Sequence, residues 1–204
     1  KVVSHCIEKN IPITPGISNP SDMEQAIEMG LDAVKFFPAV PSGGLSMIKA
    51  LAAPYHTMRF MPTGGVTPQN LTEFLDYPKI LACGGTWMVK PELLATGNFE
   101  EITRLTRQTV RTMLDLKIDE LTLPFPHTGN NLSDALHGLI NLSSGSTKEL
   151  TISCRYLKRT IYHLEKNGAT FRYDNAKYDS AGNMDAIDFS DAPEEFSIRL
   201  IEKH

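Results

Sequence analysis

The sequence has few cysteines and no long apolar run, and each deficit excludes a class of protein. Its three cysteines, Cys6, Cys83 and Cys154, lie far apart and form no CxxC pair. This spacing argues against a disulfide framework and against a zinc site, and it favours a reducing, cytoplasmic location. No stretch approaches the roughly 20 apolar residues of a membrane-spanning helix. We therefore expect no membrane association.

An excess of basic residues is also missing. The chain has 20 Lys and Arg against 24 Asp and Glu, a formal net charge of −4. Nucleic acids and anionic membranes attract basic surfaces, so we expect neither as a partner. Hydrophobic residues make up 41% of the 204 residues, which is typical of a globular protein. This length suffices for one large domain or two small ones.

From residue 11 to about residue 116, short apolar runs alternate with amphipathic stretches. Asn19 and Thr67 each precede a proline, and both are predicted to cap a helix. Alternating strands and helices predict a parallel sheet covered by helices, an α/β fold. Four such units fit either an open doubly wound sheet or part of a (β/α)₈ barrel. The apolar runs are 11–15, 33–38, 58–62 and 80–84, and the predicted helices are 20–29, 45–53, 68–75 and 100–114.

The pattern changes after about residue 115. Residues 132–142 place apolar side chains at helical spacing, and residues 143–146 have the composition of a loop. Further on, the pattern predicts a strand at 150–154, a helix at 156–167 and strands at 169–173, 186–190 and 196–201. We therefore divide the chain into residues 1–115, a connecting segment 116–147 with a short helix, and a small α+β domain of βαβββ order at 148–204.

Glycine-rich stretches follow three of the predicted strands, at 41–44, 61–68 and 83–87. In parallel α/β sheets, ligands bind at the carboxyl ends of the strands. Glycines there let backbone N–H groups approach an anion, and a following helix N-terminus adds partial positive charge. Thr63 and Thr86 could add hydroxyl donors. One glycine pair alone is explained by a tight turn, but two successive pairs, each beside a threonine, favour a phosphate site.

Lys35 interrupts the apolar run AVKFFPAV at residues 33–40. Side chains alternate along a strand, so if Lys35 faces a barrel interior, Val34 and Phe36 face the helices. A neutral lysine amine is a nucleophile that can form a Schiff base with a ketone. The alternative is a lysine whose ammonium reaches solvent at the rim of the strand. Position alone leaves both open.

The stretches IPITPGISNP, GLDAVKFFPAV, MRFMPTGGVTPQN and GGTWMV resemble, in order and spacing, the latter half of the 2-dehydro-3-deoxy-phosphogluconate/4-hydroxy-2-oxoglutarate (KDPG/KHG) aldolases. These are class I aldolases on a (β/α)₈ barrel, typically trimeric, that use no metal or organic cofactor. The resemblance covers about residues 1–115 and implies the four C-terminal β-α units of such a barrel. It implies that Lys35 is the Schiff-base lysine, and that the substrate and phosphate site is lined by Phe37, Thr63, Gly64, Gly65, Gly85 and Thr86.

The implied reaction is cleavage of a phosphorylated 2-keto-3-deoxy sugar acid to pyruvate and an aldehyde, by a cytoplasmic homo-oligomer. The family's first four β-α units have no counterpart in this sequence. They carry its proton-transferring glutamate, a substrate-binding arginine and a threonine. The resemblance therefore implies a fragment that has very low activity alone.

The tail is similar, more weakly, to one module of the vicinal oxygen chelate (glyoxalase-like) fold. Glu149 lies near one metal-ligand position of that fold, but His127, His137 and His163 lack ligand spacing. We therefore predict no metal. The alternative to an aldolase is a binding or assembly module that acts through this tail without catalysis.

Overall fold

The computed structural model describes residues 1–123, 141–144 and 147–203. The chain divides into two compact units, Lys1–Thr109 and Val110–His204. Most of the helix predicted at 132–142 lies outside the described residues, as do His127 and His137. Among the helices that the structure describes, none combines the length and the apolarity of a membrane span.

The first unit alternates short strands with helices. Its strands are β1 (Gly16–Ile17), β2 (Ala33–Phe36) and β3 (Arg59–Pro62). They form a parallel sheet in the order β1-β2-β3, which confirms the predicted α/β character of this part. The helices are α1 (Val2–Glu8), α2 (Pro20–Glu28), α3 (Gly44–Ala52), α4 (Leu71–Leu75), α5 (Pro91–Ala95) and α6 (Phe99–Leu114), whose residues after Thr109 belong to the second unit.

The first and last apolar runs form less strand than predicted. Residues 80–84 join the sheet through two isolated parallel bridges, Phe60–Ile80 and Thr63–Gly84, instead of a continuous strand. At the other edge, β1 begins at Gly16, after the predicted run has ended. Pro12 and Pro15 lie within that run and have no N–H group to donate to a neighbouring strand.

Burial alternates along β2 and β3. Val34, Phe36 and Phe60 are fully buried, whereas Lys35 and Met61 on the opposite face are only partly buried. The helices also bury apolar residues, among them Met23 of α2 and Ile48 of α3. The sheet therefore has one face in the core and a second face that carries Lys35.

One of the two predicted helix caps is found. The Asn19 side chain accepts a hydrogen bond from the Asp22 N–H at 3.0 Å, at the start of α2. At the second position α4 begins only at Leu71, so Thr67 does not cap it. The Thr67 N–H instead donates to Asn70 Oδ1 at 2.8 Å, within the turn before the helix.

Among its described residues, the second unit contains a six-stranded sheet and a helix that packs against it. The sheet order is β5-β4-β6-β9-β8-β7, and from β6 onward the elements run strand, helix and three strands. A buried cluster, which includes Leu157, Ile187 and Leu200, joins the helix to the sheet. The elements are β4 (Lys117–Leu123), β5 (Asn141–Ser144), β6 (Lys148–Cys154), α7 (Leu157–Glu165), β7 (Phe171–Tyr178), β8 (Met184–Phe189) and β9 (Phe196–Glu202).

The segment 116–147, predicted to be a connection, contributes two strands to this sheet. β4 pairs antiparallel with β6, with Ile118 opposite Ile152, and parallel with β5. β5 also includes Asn141 and Leu142, which the sequence pattern assigned to a helix. The pairing of β4 depends on a register with a strand far along the chain, and a local pattern does not contain that register.

Candidate active site

Lys35 lies in the middle strand of the first unit's sheet. It is opposite Gly16 of β1 and Met61 of β3, and its N–H donates to the Pro15 carbonyl at 2.8 Å. Its ammonium nitrogen lies 4.8 Å from the centroid of the Phe37 ring. The partly buried face of the sheet therefore presents an amine beside an aromatic ring.

The Phe37 ring packs against the glycine pair that follows β3. Gly64 has a φ of +93°, and a Cβ there would lie 3.2 Å from both Phe37 Cε2 and Pro38 Cα. Phe37 itself is 50% exposed, so its ring borders open space on the side away from Gly64. Close contact and backbone conformation together require glycine at position 64.

Hydrogen bonds from the β2 side hold the loop after β3. The Ala39 N–H donates to the Thr63 carbonyl at 2.7 Å, and the Val40 N–H donates to the Gly64 carbonyl at 3.0 Å. The next residue, Gly65, has a φ of +82°, and a Cβ there would lie 2.5 Å from the Val40 Cβ. The carbonyl groups of this loop are therefore already engaged by the protein.

The second glycine loop, residues 83–87, packs directly beside the first. The Gly84 N–H donates to the Pro62 carbonyl at 2.9 Å, and a Cβ at Gly84 would lie 2.6 Å from Thr63 Oγ1. Thr86 is exposed. The bridge between residues 63 and 84 thus places the two predicted phosphate loops side by side, just beyond the end of β3.

Several backbone N–H groups of these two loops have no acceptor among the described residues. Within the described part of the chain, the backbone N–H groups of Gly65, Gly85 and Thr86 donate no hydrogen bond to protein. Gly65 and Thr86 are exposed and Gly85 is partly buried, so an anion or water can reach these N–H groups and accept from them. The two loops therefore offer hydrogen-bond donors, whereas their carbonyl acceptors at Thr63 and Gly64 are already used.

The predicted contribution of helix N-termini is not found at these two loops. α4 begins at Leu71 and α5 at Pro91, several residues beyond their glycine pairs, and each has five residues. By contrast, the loop at 41–44 leads directly into α3, with Gly43 as its N-cap at a φ of +102°. Any anion at the two threonine-containing loops would therefore bind to individual N–H and hydroxyl groups.

Cys83 stands at the start of the second loop but does not provide a reactive thiolate. Burial raises the pKa of its thiol to about 12. A thiol with so high a pKa stays protonated at neutral pH, and the thiolate is the nucleophilic form. In this loop, Cys83 therefore fills space without supplying a reactive group.

Sequence patterns gave no role to Thr109, which the structure connects to this site. The Trp87 Nε1–H donates to Thr109 Oγ1 at 3.1 Å, although the two residues are 22 positions apart. The Trp87 ring also lies on Gly85, where a Cβ would be 1.6 Å from Trp87 Cζ3. No short motif could have indicated this contact.

The residues considered as metal ligands in the second unit have other partners. Glu149 Oε1 lies 3.0 Å from Arg199 Nη1, and the His163 ring packs edge-on against Tyr162. Across the residues that the structure describes, no group of three His, Cys, Asp or Glu side chains is arranged to hold a metal ion.

A protein-family model described as KDPG and KHG aldolase matches residues 1–105, just over half of the 204-residue chain. This chain belongs to the KDPG and KHG aldolase family. The matched region contains Lys35, both threonine-containing glycine loops and Trp87.

Individual aldolases of the family match the same region. The 2-dehydro-3-deoxy-phosphogluconate aldolase of Treponema pallidum is 47% identical over 111 residues, which cover 54% of this chain and 53% of that protein. The enzyme of the same name from Haemophilus influenzae is 50% identical over 110 residues, covering 54% and 52%. The chain spans about half the length of the curated relatives it matches.

Part of the chain also aligns with a solved structure of a family member. The crystal structure of the KDPG aldolase from Legionella pneumophila, with pyruvate captured as a covalent carbinolamine intermediate, is 35% identical. The alignment covers 48% of this chain and 48% of that protein, with a TM-score of 0.47.

Proposed function

We propose that this chain carries the Schiff-base lysine and the phosphate-binding loops of a class I aldolase. Its substrate would be 2-keto-3-deoxy-6-phosphogluconate, with 4-hydroxy-2-oxoglutarate as a possible second substrate. The main support is the position of Lys35 in β2. It is paired with Met61 of β3, and Thr63 and the two donor-rich loops lie just beyond the end of β3. The curated relatives named 2-dehydro-3-deoxy-phosphogluconate aldolase match this same region.

The proposed chemistry begins at the Lys35 amine. Nζ attacks the C2 ketone, and loss of water from the carbinolamine gives an iminium. The C3–C4 bond then breaks, its electron pair moves toward the iminium nitrogen, and the C4 hydroxyl loses its proton to a base. The products of this step are an aldehyde and an enamine of pyruvate. Protonation of the enamine at C3 and hydrolysis release pyruvate and restore the amine.

The glycine loops would bind the phosphate of the substrate and its aldehyde product. Phosphate oxygens are hydrogen-bond acceptors, and the free N–H groups of Gly65, Gly85 and Thr86 are donors. The hydroxyl groups of Thr63 and Thr86 would add two further donors, and Phe37 would form one wall of the pocket. The chemistry of this site requires neither a metal nor an organic cofactor.

The complete enzyme would have a (β/α)₈ barrel to which the first unit contributes four β-α units, and it would act in the cytoplasm as a homotrimer. Within the described residues, β1 pairs only with β2, so one edge of this sheet can accept another strand. The group that transfers protons for Lys35 would lie on the earlier units. We therefore propose that the 204-residue chain has little activity without them.

Borohydride reduction in the presence of pyruvate tests the role of Lys35. The reducing agent converts the iminium into a stable amine, which mass spectrometry of peptides locates on one lysine. We expect the pyruvyl adduct on Lys35 and its loss in Lys35→Met. Lys49→Met is a matched control, because Lys49 Nζ also lies over an aromatic ring, 5.6 Å from that of Tyr77. No adduct on Lys35, or an adduct that survives in Lys35→Met, would refute the assignment.

The dependence on further β-α units has its own test. Release of pyruvate from 2-keto-3-deoxy-6-phosphogluconate can be followed with a coupled dehydrogenase, for this chain and for a relative of full length. We expect turnover by the chain to be near background. Robust turnover, unchanged on dilution, would show that the chain needs neither additional units nor a partner.

A second candidate function belongs to the second unit. We propose as the alternative that this unit, as a partial glyoxalase-like module, binds a small ligand or mediates assembly without catalysis. Its own six-stranded sheet and buried cluster support a separate role. Thermal unfolding of the whole chain with and without divalent metal separates the two roles. Stabilisation that is lost in Glu149→Gln would favour a metal-dependent ligand site, and no shift would favour assembly.

A further inference from the structure

We infer that Trp87 and Thr109 are positioning residues for the proposed phosphate site: together they hold the backbone of residues 84–86 so that its free N–H groups stay available to an anion. This inference rests on the proposed function of the loop. It assigns a role in binding to two residues that do not themselves offer a group to the phosphate.

The first observation is a chain of hydrogen bonds that ends in α6. An indole N–H is a donor only, and that of Trp87 donates to Thr109 Oγ1 at 3.1 Å. The Thr109 hydroxyl in turn donates to the Leu105 carbonyl at 2.9 Å. Because its hydrogen is used there, an oxygen lone pair is left to accept from the indole. Both side chains are partly buried, so the orientation of the ring is defined by a helix outside the loop.

The second observation is the contact between the Trp87 ring and Gly85. A Cβ at Gly85 would lie 1.6 Å from Trp87 Cζ3 and 2.2 Å from Cε3. The φ of Gly85 lies outside the left-handed region, so its backbone conformation does not itself require glycine. The requirement comes from the ring, which occupies the volume where a side chain would stand.

The third observation is that the loop is confined from the other side as well. A Cβ at Gly84 would lie 2.6 Å from Thr63 Oγ1, and the Gly84 N–H donates to the Pro62 carbonyl. The loop therefore lies between the end of β3 and the Trp87 ring. Its Gly85 and Thr86 N–H groups remain unpaired among the described residues. Donors that are held in place before binding lose less entropy when the anion arrives, which favours affinity.

Binding of inorganic phosphate to the full chain tests the inference. Trp87 is the chain's single tryptophan, so its fluorescence reports on this loop directly, and calorimetry gives the dissociation constant. Thr109→Val removes the acceptor at nearly constant volume, and we expect phosphate affinity to fall by about threefold to tenfold, the usual effect of one lost hydrogen bond. Thr109→Ser keeps the hydroxyl and should restore most of that affinity.

Pyruvate trapping separates positioning from a general structural effect. Pyruvate has no phosphate, so borohydride trapping on Lys35 should change by less than about twofold in Thr109→Val. Trp87→Phe keeps a ring over Gly85 but loses the N–H, and it should weaken phosphate binding by a similar factor in calorimetry. This second variant decides the matter if Thr109→Val does not fold, as judged by circular dichroism.

The outcomes distinguish the inference from the proposed function. Equal phosphate affinity in the parent, Thr109→Val and Trp87→Phe would overturn the inference, and so would a parent chain that binds no phosphate. Phosphate binding that responds to Thr109→Val, together with no pyruvate adduct on Lys35, would support the inference while the aldolase proposal fails.

Discussion

Val40 leaves no room for a side chain at Gly65. The two residues follow adjacent strands, and a Cβ on Gly65 would lie 2.5 Å from the Val40 Cβ and 2.9 Å from its Cγ2. The φ of Gly65 is +82°, which L side chains rarely adopt. The loop that follows β3 thus depends on this glycine for two independent reasons, one steric and one conformational.

Gly65→Ala should lower the free energy of unfolding of the first unit by about 2–4 kcal/mol, through backbone strain and overpacking together. Gly30→Ala is the matched control, because Gly30 has a φ of +77° and open space where its Cβ would stand. It should cost only the strain, about 1–2 kcal/mol. Urea unfolding followed by circular dichroism measures both, and equal losses would mean that Val40 moves away freely.

The partly buried Cys83 thiol should make the first unit less stable in alkali. Burial raises its pKa from 9.0 to about 12. Between these values the unfolded chain has lost the proton that the folded chain retains, so rising pH favours unfolding. The stabilisation is therefore complete below about pH 9 and is lost as the pH rises toward 12.

Urea unfolding at neutral pH and at about pH 10 measures this pH dependence. At about pH 10 we expect Cys83 to lower the free energy of unfolding by about 1 kcal/mol. Cys83→Ala should reduce the decline, since alanine has no proton to lose. A decline of the same size in the parent and in this variant would assign the alkaline instability to other groups.

Arg199 should contribute more to the second unit through Asp188 than through Glu149. Its guanidinium makes two contacts with the nearly buried Asp188, at 2.8 and 3.3 Å, and one of 3.0 Å with the more exposed Glu149. Hydrogen bonding to Asp188 raises the pKa of Arg199 still further above its usual range. Removal of the cation leaves the Asp188 carboxylate without its main counterion.

We expect Arg199→Met to destabilise the second unit by about 2–4 kcal/mol, because a nearly buried charge loses its partner. Glu149→Gln removes only a partly exposed ion pair and should cost less than about 1 kcal/mol. Chemical unfolding of the whole chain compares the two variants. If Glu149→Gln is the more damaging, the carboxylate of Glu149 has a role beyond this ion pair.

The Asn19 cap should account for a measurable part of the stability of the first unit. Its side-chain oxygen accepts from the Asp22 N–H, which would otherwise lack a partner in the first turn of α2. Asn19→Ala should cost about 1 kcal/mol, and Asn19→Asp should retain most of the stability, since both Asn and Asp cap well. A similar loss in both variants would show that the amide N–H to Asp22 matters more than the cap.

Much of the first unit could be predicted because its information is local. The positions of β2, β3, α2 and α3 follow from apolar runs separated by glycine or proline, and the alternation around Lys35 follows from the two-residue period of a strand. The cap at Asn19 is likewise visible in a short motif. The predicted start of a helix after Thr67 and the predicted strand at residues 11–15 were wrong. Proline excludes some backbone conformations but does not determine which of the remaining ones the chain adopts.

The remaining features depend on contacts between distant parts of the sequence. Trp87 and Thr109 meet only because α6 packs beside the second loop, and neither residue type suggests the other. The strand β4 is stabilised by its register with β6, and a local pattern of alternating residues could equally belong to a connection. The roles predicted for Lys35 and the loop residues stay predictions until trapping and binding are measured.

The unpaired N–H groups described above have a consequence for how variation in this protein should be interpreted. Recognition by main-chain amides depends on the conformation of the backbone and not on the identity of any side chain. In a survey that replaces one side chain at a time, substitutions that remove a charge would have little effect on these loops, whereas substitutions that add volume would disrupt them. Such a profile resembles that of a purely architectural turn, so a conventional mutational scan would overlook the proposed phosphate site.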